Sequence, residues 1–132
     1  YKSIVVSCDT YYYVLANDLG IDAISNFMRQ LGLGSRTGID IEGESEGVLP
    51  SQEWKRKRFR KPEQQKWYAG ETISIGIGQG YNAYTPIQLA QATAAIASGG
   101  VIYRPHLVKY VENLSTGERT LIEPQPLRTL PF

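Results

Sequence analysis

The 132-residue chain has one cysteine and one histidine, and each scarcity excludes something. A lone thiol, Cys8, cannot form an internal disulfide, so cysteine usage favours neither a reducing nor an oxidising compartment. Cys8, His106 and scattered carboxylates lack metal-ligand spacing, and no metal or other cofactor is expected. No apolar run approaches the ~20 residues needed to cross a bilayer. Fourteen basic residues against thirteen acidic ones leave a formal charge of +1, too small a global field to imply nucleic acid or an acidic membrane as the main partner. The glycines of Gly76-Ile77-Gly78-Gln79-Gly80 miss the dinucleotide pattern GxGxxG because Tyr81 fills its last position, and no P-loop lysine follows. No serine has a lysine three positions later, and no K-[ST]-G triplet occurs. The chain opens on Tyr1-Lys2-Ser3 without methionine or an apolar leader, and it reads as an internal piece of a longer product.

What is present suits a globular domain with one core: 42% hydrophobic and 20% charged residues. From Thr10, the apolar positions Tyr13, Val14, Leu15 and Leu19 predict a short helix capped by Asp9 and stopped at Gly20. A second helix follows, capped by Asp22, with Ile24, Phe27, Met28 and Leu31 as its buried stripe and Gly32 as its stop. The glycine-rich LGLGSRTGIDIEGESEGVLP predicts an extended strap on the surface. ETISIGIGQG, residues 71–80, has β-branched residues and alternating glycines; it predicts a strand or tight extended segment where backbone approaches backbone. Thr85-Pro86-Ile87-Gln88 is a capping box with proline at the first helical position. It predicts an alanine-rich core helix to Ser98, stopped by Gly99-Gly100. Residues 107–122 predict a β-hairpin turning at 113–117, and the proline-spaced segment after it carries no pattern.

Ser7-Cys8-Asp9 is the stretch that invites chemistry. As a thiol nucleophile Cys8 would need His106, the one histidine, about a hundred residues on. Packing of Cys8 as a small apolar-like residue at a helix start is the better reading.

A second reading comes from resemblance. Ser7-Cys8-Asp9-Thr10-Tyr11-Tyr12-Tyr13, Thr37-Gly38-Ile39-Asp40-Ile41-Glu42-Gly43-Glu44, Trp67-Tyr68-Ala69-Gly70-Glu71, Gly76-Ile77-Gly78-Gln79-Gly80 and Thr85-Pro86-Ile87-Gln88-Leu89-Ala90 occur in this order. In that they resemble the transpeptidase domain of class B penicillin-binding proteins, most of all the elongation type. The resemblance implies an α+β fold, part of the penicillin-binding transpeptidase or serine β-lactamase-like architecture, of which residues 1–132 are an internal fragment. They would hold mainly the helical half and a few antiparallel strands. It also makes Ile4-Val5-Val6, a strand on pattern alone, the end of a helix, with Ser7 to Asp9 as the loop between two helices.

The resemblance further implies a function. The family cross-links peptidoglycan: a serine attacks the D-alanyl-D-alanine carbonyl of a stem peptide, and an amine from a neighbouring stem resolves the acyl-enzyme. β-Lactams acylate the same serine. Ser7-x-Asp9 matches the second of three active-site motifs, usually S-x-N, so Ser7 and Asp9 are the catalytic candidates. The S-x-x-K and K-[ST]-G motifs are missing, so this chain alone is expected to be inactive. Arg36-Thr37-Gly38 and Ser115-Thr116-Gly117 are near misses, read as a strap and a hairpin tip. A serine hydroxyl donates and accepts, so Ser7 can relay a proton between the nucleophile's lysine and the departing amine. Asp9 would hold that lysine. Ionised aspartate only accepts hydrogen bonds, so the substrate-amide contact that asparagine makes is in doubt. Implied partners are stem peptides, β-lactams, the remainder of the polypeptide, a membrane glycosyltransferase and the elongation machinery, at the periplasmic face of a membrane-anchored parent. A β-lactam-sensing receptor of the same fold would share these motifs.

A rival reading uses the basic run. Lys55, Arg56, Lys57, Arg58, Arg60, Lys61 and Lys66 are half of the chain's basic residues, interleaved with Trp54, Phe59 and Trp67. The run suits a module binding nucleic acid or anionic lipid. Asp40, Glu42, Glu44 and Glu46 upstream suit neutralisation within the fold instead, and the resemblance favours no nucleic acid.

Overall fold

Lys2–Val5 forms one helical turn, α1, and the chain turns through Val6 and Ser7 into α2, Asp9–Gln30. The structure is a computed structural model describing residues 1–131. Rather than one core, the chain forms two compact units: Tyr1–Gln30 with Val48–Tyr84, and Leu31–Gly47 with the residues from Thr85 onward.

In the first unit α2 is two helices in effect. Gly20 sits at φ 74°, ψ 159°, outside helical space, where the sequence places a stop. The predicted stripes are less covered than expected. Ala16, Ile21 and Ser25 are buried, whereas Val14, Leu19 and Phe27 are exposed at 57%, 53% and 47%. Periodicity tells which side chains share a face; it does not tell what covers that face. Ser51 caps α3, Gln52–Arg58, its Oγ accepting from the Trp54 N–H at 3.0 Å. A short α4, Pro62–Gln65, begins on proline.

Helix α5, Ala69–Gly76, stands where a strand was predicted. Glu71 at its third position reaches back, Oε2 accepting from the Tyr68 N–H at 2.9 Å, and satisfies a donor that a helix start leaves open. Its buried residues, Thr72 and Ile75, are spaced i, i+3. In eight residues that spacing is easily read as β alternation. The expected close approach of backbone is nevertheless present, between helices. A Cβ on Gly76 would lie 2.3 Å from the Ala16 Cβ and 3.1 Å from the Tyr12 carbonyl oxygen, so α5 ends directly against α2.

In the second unit, α6 runs Pro86–Ala97 with the capping box formed: the Gln88 N–H donates to Thr85 Oγ1, and Gln88 Oε1 accepts from the Thr85 N–H. Gln88 is wholly buried, and its Nε2 donates to the carbonyls of Ser35 and Glu46 at 2.7 and 2.8 Å. One amide thus closes the helix start and fastens the 31–47 strap. That strap is irregular as predicted, but Leu31, Leu33 and Thr37 are buried, so it is not purely a surface feature. Ala92 and Ala95 of α6 are buried and Leu89 and Ile96 exposed, so only one face of the alanine helix is core.

The hairpin forms from β2, Tyr110–Glu112, and β3, Arg119–Leu121. A second antiparallel pair joins β1, Val101–Tyr103, to β4, Pro126–Thr129, within the segment that carried no pattern. Pro126 opens β4, a position where a missing N–H is tolerated.

The crossing at Gly76 makes a direct prediction. Gly76→Ala forces α2 and α5 apart and lowers stability by about 1–3 kcal/mol, with Ala16→Gly recovering part of the loss in a double-mutant cycle. Gly70→Ala, where a Cβ meets nothing within 4 Å, leaves the unfolding midpoint unchanged or raised; thermal unfolding of all four variants checks this.

Candidate active site

The turn that carries Ser7 is held by backbone bonds from Val6 N–H to Lys2 O at 3.1 Å, Ser7 N–H to Ile4 O at 3.1 Å and Cys8 N–H to Ser3 O at 2.9 Å. Ser7 has φ 48°, and among the described residues it is the one non-glycine with positive φ. For an L-residue that region costs about 1–2 kcal/mol, a strain that recurs at sites where a side chain must be presented. Here it reverses the chain between α1 and α2 and leaves both Ser7 and Asp9 exposed.

Ser7 and Asp9 line one cavity of about 360 Å³. Its other walls include Ser3 and Tyr12, whose hydroxyl oxygens lie 3.2 Å apart, and Gly76 and Ile77 at the end of α5. Three separate stretches therefore meet at the Ser7 turn. Sequence reading named Ser7 and Asp9 but not Ser3, Tyr12, Gly76 or Ile77 as cavity residues. No local signal tied Ser3 to Ser7, which lies outside α1 in the turn, and the α5 contribution depends on the helix that was read as a strand. Cys8 is half-buried between its two neighbours. In the second unit His106 Nδ1 is 2.7 Å from the Val108 carbonyl oxygen. Among the described residues no group of three His, Cys, Asp or Glu side chains is placed to hold a metal ion.

The near-miss triplets have structural employment. The Thr37 hydroxyl and N–H both donate to Glu44 Oε1 at 2.6 Å, and the Gly38 N–H donates to its Oε2 at 3.0 Å. Burial pushes the Glu44 carboxyl up, but those donors outweigh it and hold it below its usual value. Ser115-Thr116-Gly117 lies in the hairpin turn, where Asn113 Oδ1 accepts from the Ser115 N–H at 2.9 Å.

The basic run divides. Lys55 is 4% exposed, and its ammonium donates to Glu71 Oε1 and, at 2.7 Å, to the Lys66 carbonyl, beside the rings of Trp67, Tyr68 and Tyr81. The remaining cations of the run are exposed, with Lys57 on Glu53 at 2.6 Å. Three of the upstream acids have partners in their own unit, Glu44 as above. Asp40 accepts from the N–H groups of Leu107 and Val108, and Glu46 lies 3.8 Å from Arg36.

A Ser-x-Asp turn between two helices is what the resemblance implies for residues 7–9. The match to the family model described as penicillin binding protein transpeptidase domain covers residues 2–132, and the chain belongs to that family. Among its relatives is peptidoglycan D,D-transpeptidase MrdA of Acinetobacter baumannii, 51% identical over 109 residues, which are 83% of this chain and 16% of that protein. The crystal structure of Pseudomonas aeruginosa PBP2 in complex with WCK 5153 is 44% identical, with a TM-score of 0.73 over 93% of this chain and 26% of that one. PBP2 of Helicobacter pylori, solved in complex with MreC, is 31% identical with a TM-score of 0.74, over 94% and 21%. The chain thus spans about a sixth of the curated relative's length. The helices and short antiparallel sheets agree with the α+β expectation.

Burial raises the Glu71 carboxyl, yet the Lys55 ammonium and the Tyr68 N–H hold it below the ordinary 4.5. A carboxyl depressed on folding stabilises the fold above its unfolded pKa, and that contribution disappears as pH falls through the folded value. Urea midpoints measured from pH 7 downward are therefore expected to fall below about pH 4.5, and to fall less steeply in Glu71→Gln. At pH 7 Lys55→Met, which leaves the carboxylate without its ammonium, costs about 3 kcal/mol.

Proposed function

We propose that this chain is an internal segment of a longer peptidoglycan D,D-transpeptidase, and that it supplies Ser7 and Asp9 to the active site. The observation that carries this reading is the Ser7 turn: an exposed hydroxyl on strained backbone, lining a cavity beside Asp9. Relatives named D,D-transpeptidase support it. So do the exposed apolar side chains of α2 and α6, which suit a piece whose remaining sheet lies in the rest of the polypeptide.

In the proposed mechanism the attacking serine and its lysine come from an S-x-x-K motif outside residues 1–132. The serine gives its hydroxyl proton to that lysine as it forms an ester with the penultimate D-alanine of a stem peptide, and the bond to the terminal D-alanine breaks. Ser7 accepts a proton from that lysine while donating its own to the leaving amine, so it stays neutral throughout. Asp9, exposed at the same cavity, holds that lysine in place. The acceptor amine of a second stem reverses these transfers as it resolves the ester. β-Lactams enter by the first half of this sequence and stop at the ester.

The longer protein works at the periplasmic face, anchored in the membrane outside this segment, with a glycosyltransferase and the elongation machinery. The complex of Helicobacter pylori PBP2 with MreC supports a partner of that kind. A β-lactam-sensing receptor of the same fold differs in forming the ester without passing it to an amine.

In the longer polypeptide, Ser7→Ala is expected to slow acylation by a fluorescent penicillin about 100-fold. Ser7→Gly, which removes the hydroxyl but suits the positive φ, slows it as much while unfolding no earlier than the parent protein. Acylation at the parental rate in both variants rules out the relay.

A further inference from the structure

The basic run outside Lys55 takes no part in the Ser7 cavity, and its structure differs from that of a loose charged tail. Arg56, Lys57, Arg58, Arg60, Lys61 and Lys66 are all exposed, and the only acids between residues 51 and 68 are Glu53 and Glu63. The backbone beneath them is pinned. Trp54 stands edge-on to Phe59 at 6.4 Å, both rings pack on Tyr81, Gln65 Nε2 donates to the Phe59 carbonyl at 2.9 Å, and Lys55 fastens the segment to Glu71. The first unit carries nine basic and six acidic residues, so its excess of positive charge resides in this run.

The surroundings select among anionic occupants. The large exposed apolar side chains include Ile41 and Tyr68 but none in between, so the platform has nothing to insert into a bilayer. Trp54 and Phe59 are half-buried and packed on each other and on Tyr81, and the exposed ring of Tyr68 carries the Lys66 ammonium over its face at 5.5 Å, so the rings of the run are already engaged. What is offered is exposed guanidinium and ammonium groups on the pinned backbone of α3 and the turn after it, of which Lys57 is paired with Glu53. Guanidinium forks pair with carboxylates through two parallel hydrogen bonds.

We infer that the exposed cations of residues 56–66 form a docking surface for a carboxylate-bearing polymer, the stem peptides of a peptidoglycan strand. The surface holds the strand electrostatically while one stem is processed at the Ser7 cavity. The choice of polymer rests on the transpeptidase reading; the cationic platform does not. Preorganised charge of this kind raises capture and is weakened by salt.

The test uses the longer polypeptide and soluble, uncross-linked peptidoglycan strands, with amidated strands, single-stranded DNA and anionic-lipid vesicles as parallel probes. Untreated strands are expected to bind, more weakly as salt rises. Replacing Arg56, Arg58 and Arg60 by Ala is expected to lower strand affinity about tenfold or more, with the rate of penicillin acylation unchanged. Amidation of the stem carboxylates gives a comparable loss and needs no variant. Equal binding of amidated and untreated strands overturns the inference, as does undiminished strand binding by the triple variant. Tighter binding of DNA or vesicles than of strands at the same salt also overturns it. A parent protein that penicillin does not label removes the transpeptidase reading instead, and strand binding is scored separately.

Discussion

The contact on which the candidate site depends is the absence of a side chain at Gly76. With no Cβ there, the end of α5 rests on Ala16 and on the Tyr12 carbonyl, and Gly76 and Ile77 become a wall of the cavity that Ser7 and Asp9 line. Any larger residue pushes that wall outward by the width of a methyl group. The Ser7 turn supplies the opposing constraint: its positive φ ends α1 and starts α2 within three residues, so the hydroxyl and the carboxylate face the same cavity. A cavity placed by helix packing on one side and a strained turn on the other has little freedom to drift.

Polar side chains rather than large apolar ones fasten the irregular parts. Gln88 secures two carbonyls of the strap, Glu44 gathers three donors from Thr37 and Gly38, and Lys55 joins α3 to α5 through Glu71. Each is a multi-point contact in which a buried donor or acceptor is satisfied, and losing one partner exposes the others to the full cost of desolvation. Glu44 and Lys55 lie in segments that sequence reading treats as surface, and these contacts explain why charged residues there are held by the fold.

Features decided by neighbours in the chain were legible before the structure. Gly20 as a helix break, the Thr85–Gln88 box and the 110–121 hairpin are all local, each encoded within a few residues. Those decided by distant partners were not. β4 is a strand because β1, about 25 residues earlier, pairs with it; α5 lies as a helix against α2, with Gly76 on Ala16; Lys55 is buried because Glu71 receives it. Ser7 and Asp9 were singled out through their motif, and the structure brings them to one cavity with Ser3, Tyr12 and Gly76, which come together only in three dimensions.

The central claim is that Ser7 passes protons for a serine and lysine that residues 1–132 do not contain. The most direct measurement is a crystal structure of the longer polypeptide acylated by a β-lactam. The account predicts Ser7 Oγ within about 3.2 Å of the Nζ of the S-x-x-K lysine, with the acyl group in the same cavity. Ser7 separated from that lysine by more than one bridging water, about 5 Å or beyond, would contradict it.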